Sequence, residues 1–273
     1  MDDTMHARGR GFSPRFFLPP DMSSAVPGEH LVLGPEDSHH GLRVLRMKVG
    51  DMCEVVTPWR TVHQAVVGGA ADFLELTIVG QLLGDAAGPI YQNEVGLVQG
   101  IARPAAMDYL IEKGTEVGAD FFALVPTEAS PRGLRSGGAD RVERWQRIAR
   151  EAAKQSRQTR IPWVEIFGSQ VEAMTRLGGE MAHTVVLDPE ATQTLSDFLQ
   201  ASAGGEGGGS GGCSAGCRRV TLWVGPESGW SVGELDRLVG AGALPARLGR
   251  GVLRTETAGP VALAIARLTL NDW

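Results

Sequence analysis

The chain has 273 residues, 42% hydrophobic and 21% charged, with a formal net charge of −6. It is too long for one small core and suits one large or two modest globular domains. There is no run of about 18 apolar residues, so no helical membrane span is expected, and the polar start MDDTMHARGRGF lacks the apolar stretch of a secretory signal.

The first 85 residues hold short strand-like runs, RFFLP, HLVLG, MCEVVTP, HQAVVGG and FLELTIVG, separated by Gly, Pro and Asp. This is the pattern of a compact β domain. One helix interrupts them at about 37–47 (DSHHGLRVLRM), with Asp37 or Ser38 as its N-cap. His39, Arg43 and Arg46 line one stripe of it. His39 and His40 are adjacent and diverge by about 100° on a helix, so phosphate contact is a better reading than metal. GDAAGP at 84–89 is the natural linker.

From residue 88 to 273 the rhythm becomes strand, helix, strand. EVGLVQGI, FFALVP, WVEIF, HTVVLD, VTLWVG and ARLG read as buried strands. Helices are expected at 104–117, 140–158, 169–177, 195–200, 231–240 and 257–270, and the alternation predicts an α/β domain with a largely parallel sheet. The tract 204–216 (GGEGGGSGGCSAG) holds eight glycines in thirteen residues and reads as a flexible insertion without chemistry. Three cysteines, an odd number, argue for reduced thiols in the cytoplasm. Cys213 and Cys217 have no His or Cys cluster beside them, and no metal is expected.

The charge is unevenly spread. Residues 132–160 carry nine Lys or Arg against three Asp or Glu, and arginines outnumber lysines 23 to 3 over the chain. Arginine's planar fork suits phosphate and base edges. At 100° steps, Val142, Trp145, Ala149, Ala152 and Ser156 fall on one side of the 140–158 helix. Arg147, Arg150, Lys154 and Arg157 fall on the other, with only Glu151 near the edge, which favours nucleic-acid phosphate over a solvated face.

Common nucleotide motifs are absent. No lysine is followed by Ser or Thr, so there is no phosphate-binding P-loop, and no strand ends in G-x-G-x-x-G. What remains are two glycine-rich strand exits. VTLWV runs into GPESGW, after which Ser231-x-x-Glu234 is a capping box. ARLG exits at Gly249 into GRGVLRTET, where Thr257 would cap a helix with Pro260 in its first turn. Ligands of open α/β sheets sit outside the carboxyl ends of the strands.

Six ordered stretches together resemble the RsmE family of SPOUT-class RNA methyltransferases. They are RFFLPP (15–20), HHGLRVLRMKVGD (39–51), KGTEVGAD (113–120), EAAKQSRQTRIP (151–162), LWVGPESGW (222–230) and LGRGVLRTETA (248–258). The resemblance implies a small PUA-like β-barrel domain for RNA docking, followed by an α/β domain with a trefoil knot. It also implies a homodimer, and transfer of a methyl group from S-adenosylmethionine to N3 of one uridine in 16S ribosomal RNA of the small ribosomal subunit. Leu248, Gly249, Val252 and Leu253 would form one wall of the cofactor pocket. Gly225, Pro226, Glu227 and Gly229 would form a second, and Leu187 and Asp188 a third. RNA contacts would come from Arg15, His39, Arg43 and Arg46, and from Arg147, Arg150, Lys154 and Arg157.

Arg254 would hold the uracil carbonyl and its developing negative charge. Glu227 or Glu256, its carboxyl raised by burial, could take the N3 proton, or either could simply hold loops together. Ser228 stands where the family pattern has glycine, and its Cβ either crowds the cofactor or adds a hydroxyl donor. Two rival readings stay open: a methyltransferase for another RNA, and a non-catalytic RNA-binding or ribosome-assembly protein.

Overall fold

The computed structural model describes residues 13–22, 25–131, 138–178, 182–203 and 219–272. Arg132 and Arg135 of the basic stretch, the glycine tract 204–216, Cys217 and the N-terminal dozen residues lie outside them. The chain divides between Pro89 and Ile90, at the end of the GDAAGP linker.

In the first unit β1 (Arg15–Phe17), β2 (His30–Val32), β3 (Met52–Val56), β4 (Val62–Ala70) and β5 (Leu74–Leu82) form one sheet in the order β1-β3-β4-β5-β2. Only β1 pairs in parallel, with β3. β5 shows why one face is the core: Leu74, Leu76 and Ile78 are buried while Glu75 and Val79 are exposed, the period-two pattern of a half-solvated sheet. Phe16, Leu31, Val55 and Val67 complete this core. Cys53 is buried in it, and burial pushes its thiol up to about 12, far from a reactive thiolate.

The single helix expected at 37–47 is instead a short α1 (Pro35–His39) that widens to a π-helical turn at His40–Val44. Gly34 is its N-cap, not Asp37 or Ser38. Ser38 lies inside, donating to Leu33 O (2.8 Å) and accepting from Leu74 N (3.1 Å), so it fastens the helix to the start of β5. Arg15 also departs from expectation. It sits opposite Glu54 in the β1–β3 register, and its Nε and Nη2 donate to the Glu54 carboxylate (2.9 and 2.7 Å) while Nη2 also reaches Ala87 O (2.9 Å). With its side chain 0% exposed, Arg15 is a structural cation and not an RNA contact.

The second unit contains, in chain order, β6 (Glu94–Gly100), α2 (Pro104–Glu116), β7 (Phe121–Val125), α3 (Ala139–Gln155), β8 (Trp163–Ile166) and α4 (Gln170–Leu177). β9 (Ala182–Leu187), α5 (Leu195–Ala203), β10 (Arg219–Val224), α6 (Val232–Gly240), β11 (Leu244–Ala246) and α7 (Thr255–Thr269) complete it. Its six strands are all parallel, in the order β11-β9-β10-β6-β7-β8. Alternate residues of one strand enter different cores. Leu97, Phe122, Val185 and Leu222 pack with Leu110, Trp145, Leu199 and Leu263, whereas Val98, Phe121, Val186 and Trp223 pack with Ala173, Leu177 and Leu238. Helices α2, α3, α5 and α7 therefore cover one face and α4 and α6 the other. This explains why the strands read as continuous apolar runs.

α7 differs from its expected start. It begins at Thr255 with Arg254 as N-cap, so Pro260 lies inside the helix and not in its first turn. Proline lacks an N–H, so Glu256 O loses the donor four residues on. Towards its other end, Arg267 is fully buried. It donates to Gly118 O (3.0 and 2.6 Å), Asn93 O (2.8 Å), Asp120 (2.9 Å) and Asp272 (3.1 Å), and its guanidinium lies 3.9 Å from the centroid of the Tyr91 ring. Removing one partner of such a set strands the others. Arg267→Met is expected to destabilise this unit by about 3 kcal/mol, read as a lowered urea midpoint by tryptophan fluorescence; an unshifted midpoint would show the network to be energetically idle.

Candidate active site

Three neighbouring strands end at one edge of the parallel sheet, and the segments that follow β9, β10 and β11 enclose a cavity of about 380 Å³. Leu187 and Asp188 come from the first segment, Gly225, Pro226, Glu227 and Gly229 from the second, and Leu248, Gly249, Val252 and Leu253 from the third. The structure thus gathers all ten positions that the resemblance assigned to a cofactor. Trp230, Arg247 and Thr255, which sequence reasoning left out, line the same space.

The β10 exit is a tight turn. Gly229 N donates to Pro226 O (2.9 Å) and Gly229 has φ +74°, a left-handed conformation suited to glycine. A Cβ on Gly225 would lie 2.9 Å from the backbone of Gly229, so glycine is required there as well. Ser228 carries none of this constraint. It is exposed and its φ is not positive, so serine sits there without backbone strain.

A buried amide locks this turn to α7. Gln99, on β6, donates from Nε2 to Gly100 O (2.9 Å), Gly225 O (3.0 Å) and Thr255 Oγ1 (3.0 Å), and the Thr255 hydroxyl donates to Gly225 O (2.6 Å). The first residue of one wall and the first helical residue of another therefore share a joint. Its sequence signal was a lone amide inside the apolar run EVGLVQG.

The cavity has the properties of a site for a polar ligand. Its walls include the apolar Leu187, Val224, Leu248, Val252 and Leu253, yet Trp230 Nε1 and Arg247 Nε are buried donors with no partner among the described residues. Buried donors are nearly always satisfied. Gly249 and Gly251 line it too; neither has a positive φ, and a Cβ on either would meet no atom within 4 Å. The fold itself does not demand glycine at these positions; what the bare backbone does there is leave the cavity wall without side chains. S-adenosylmethionine, with an apolar adenine face and several acceptors, fits this donor set.

A second, open cleft of about 480 Å³ is lined by Arg103, Ala105, Ala106, Tyr109, Arg254, Glu256 and Thr257. One short segment serves both spaces, since Leu253, Thr255 and Ala258 face the cavity and Arg254, Glu256 and Thr257 face the cleft. The Arg254 guanidinium is exposed and forms no ion pair or hydrogen bond with a described residue. Glu227 is different: its Oε1 accepts from Arg103 N (3.1 Å) and Arg103 Nε (2.9 Å). Burial alone would raise its carboxyl. The hydrogen bonds from the Arg103 guanidinium and main chain, with that guanidinium's charge, outweigh burial and hold it below the ordinary value. This corrects the expectation of a raised Glu227. Because the folded value is depressed, the contact holds above the ordinary carboxylate range and is lost only as pH falls through the depressed value.

The basic residues separate into three kinds. His39, Arg43 and Arg46 are exposed on the π-helical turn and its flanks, and Arg147 is exposed on α3. Arg150 and Arg157 are half-buried, and Arg157 lies beyond the end of α3 with φ +57°. Lys154 is buried and its ammonium donates to Glu151 (2.7 Å), so it is neutralised within the helix and does not belong to a free cationic face. Arg144 is likewise matched, by Asp108. Among the described residues no group of three or more His, Cys, Asp or Glu is placed to hold a metal ion, and no helix is long and apolar enough to cross a membrane.

A profile of the RNA methyltransferase domain family matches residues 90–267, all of the α/β architecture just described but the last two residues of α7. The chain belongs to that family. Within it, the chain is 33% identical over 189 residues to the ribosomal RNA small subunit methyltransferase E of Mycobacterium tuberculosis, covering 68% of this chain and 67% of the relative. It is 29% identical over 265 residues to the Synechocystis protein of the same name, covering 89% and 78%. The crystal structure of the Neisseria gonorrhoeae methyltransferase E bound to S-adenosylmethionine superposes with a TM-score of 0.78 at 25% identity, over 94% of this chain and 97% of that one. The likeness to this enzyme thus takes in the N-terminal sheet as well.

Gly249→Val is expected to leave the ligand-free melting temperature within about 2 °C of wild type, since surface substitutions that meet nothing cost little, while abolishing S-adenosylmethionine binding by calorimetry. Retained binding would show that the third wall does not touch the cofactor. Thr255→Val leaves Gln99 and Gly225 one partner short and is expected to weaken that binding about tenfold.

Proposed function

We propose that this protein is a cytoplasmic, homodimeric methyltransferase. It uses S-adenosylmethionine to methylate N3 of one uridine of 16S ribosomal RNA, on the assembled small ribosomal subunit. The observation that carries the reading is the segment 253–258, whose residues divide between a cavity fitted to the cofactor and a neighbouring cleft bearing Arg254, which has no partner among the described residues. The family match and the likeness to the cofactor-bound Neisseria gonorrhoeae enzyme support it.

In the cavity, S-adenosylmethionine supplies an electrophilic methyl group, and alignment of the nucleophile is most of the catalytic task. Leu187, Leu248, Val252 and Leu253 exclude water around it, and Gly225, Gly249 and Gly251 allow close backbone approach. The exposed Arg254 guanidinium places a positive charge in the cleft, where it stabilises the negative charge that develops on a uracil carbonyl as N3 loses its proton. Glu227, engaged by Arg103 and held ionised, serves to brace the loop. Glu256, beside Arg254 in the same cleft, is the carboxylate left to accept the proton. His39, Arg43, Arg46, Arg147, Arg150 and Arg157 supply phosphate contacts whose strength falls with salt.

The test is methyl transfer from labelled S-adenosylmethionine to small subunits lacking the modification, with free rRNA alongside and the product nucleoside identified by mass spectrometry. N3-methyluridine on subunits and none on free rRNA is the expected result. Transfer to a different RNA would replace the substrate, and cofactor-independent RNA binding without transfer would favour an assembly role. Arg254→Ala is expected to keep cofactor affinity within about twofold and to lower turnover by about 10²–10³; normal turnover would remove Arg254 from the mechanism.

A further inference from the structure

Resting on the cofactor assignment above, we infer that Arg247 is the residue that anchors the α-carboxylate of S-adenosylmethionine. Arg247 lies outside the ten positions that the resemblance assigned to the pocket. Its backbone is fixed on both sides: its N donates to Gln193 O (3.0 Å), its O accepts from Leu195 N (2.9 Å), and it forms a parallel bridge with Thr194. The side chain thus leaves a rigid point directly after β11 and lines the cavity. It is the one cationic residue among those that do.

Its Nε is buried without a partner, and its guanidinium forms no ion pair or hydrogen bond with any described residue. The residue as a whole is half-buried, and its terminal guanidinium nitrogens are not among the buried unpartnered atoms, so a charge that arginine does not lose stands within reach of whatever enters the cavity. The carboxylates in the same walls do not answer it. Asp188 Oδ1 accepts from Glu190 N (3.0 Å), and Glu227 is taken by Arg103. The guanidinium is left available to a negative group of the occupant. S-adenosylmethionine carries two positive groups, the sulfonium and the ammonium, and a single negative one, the carboxylate. A guanidinium close to either positive group would repel it, so the carboxylate is the end of the molecule that Arg247 can meet, with the fork geometry that favours paired hydrogen bonds. Arg247 is therefore a positioning residue: it would hold one end of the cofactor.

The experiment compares calorimetric affinities of wild type, Arg247→Met and Arg247→Lys for three ligands: S-adenosylmethionine, S-adenosylhomocysteine and decarboxylated S-adenosylmethionine. Melting temperatures of the ligand-free variants establish that each is folded. Methionine keeps the length of the stem but not the charge. Arg247→Met is expected to weaken S-adenosylmethionine and S-adenosylhomocysteine by about 10- to 100-fold, and to change affinity for the decarboxylated compound less than about threefold. Arg247→Lys, which keeps charge without the fork, is expected to fall between. An equal loss for all three ligands would mean that Arg247 shapes the pocket without touching the carboxylate, and no loss for any would mean that it does neither; both overturn the inference. Failure of wild type to bind S-adenosylmethionine would overturn the cofactor assignment and this inference with it.

Discussion

The Gln99–Thr255–Gly225 joint is the constraint on which the site depends. Each of its hydrogen bonds is ordinary, between 2.6 and 3.0 Å, and each contributes about 1 kcal/mol net. Their placement matters more than their strength. β6, the β10 exit and the first residue of α7 are distant in sequence, and the joint holds all three through atoms buried away from water. Inside such a site an unmade bond costs more than a made one returns. The turn at 226–229 and the helix start at 255 are consequently held in one fixed relation to each other.

Charge follows a comparable division of labour. The abundance of arginine gives an impression of a broad cationic surface, but the structure pairs many of these cations with carboxylates, most of them below the surface and Arg103 upon it. Arg15 answers Glu54, Arg267 answers Asp120 and Asp272, Arg103 answers Glu227, and Lys154 answers Glu151. Those that remain exposed, such as Arg43, Arg46, Arg147 and Arg254, are where an anion can gain most. Counting charges along the chain could not make this distinction, because pairing depends on strand register and helix contacts.

Much of the architecture was legible in the sequence. Buried parallel strands appear as apolar runs, the helices between them show their period, and Ser231 with Glu234 forms the expected capping box. The two glycine-rich exits were legible because glycine marks tight turns and close approach. Other features left weaker traces. The π-helical turn at His40–Val44 differs from an α-helix by one residue in its bonding, and periodicity does not separate the two. Arg15 looked like a surface cation because its partner, Glu54, is found only once the β1–β3 register is known, and Lys154 because its burial, unlike its neighbour Glu151 three residues earlier, cannot be read from spacing. Gln99 and Arg247 went unnoticed because their importance lies in unmet or shared hydrogen bonds, a property of atoms in space.

The division of 253–258 between cavity and cleft has a consequence for how this stretch can vary. An α-helix turns by about 100° per residue, so adding or removing one residue ahead of Thr255 would rotate every following side chain off its wall. Thr255 would leave the joint, and the places of Arg254 and Glu256 in the cleft would be taken by neighbours meant for the cavity. Single side chains here are open to exchange wherever size and polarity are kept, but the length of the segment is not. The two chambers are defined by a count of residues as much as by their chemistry.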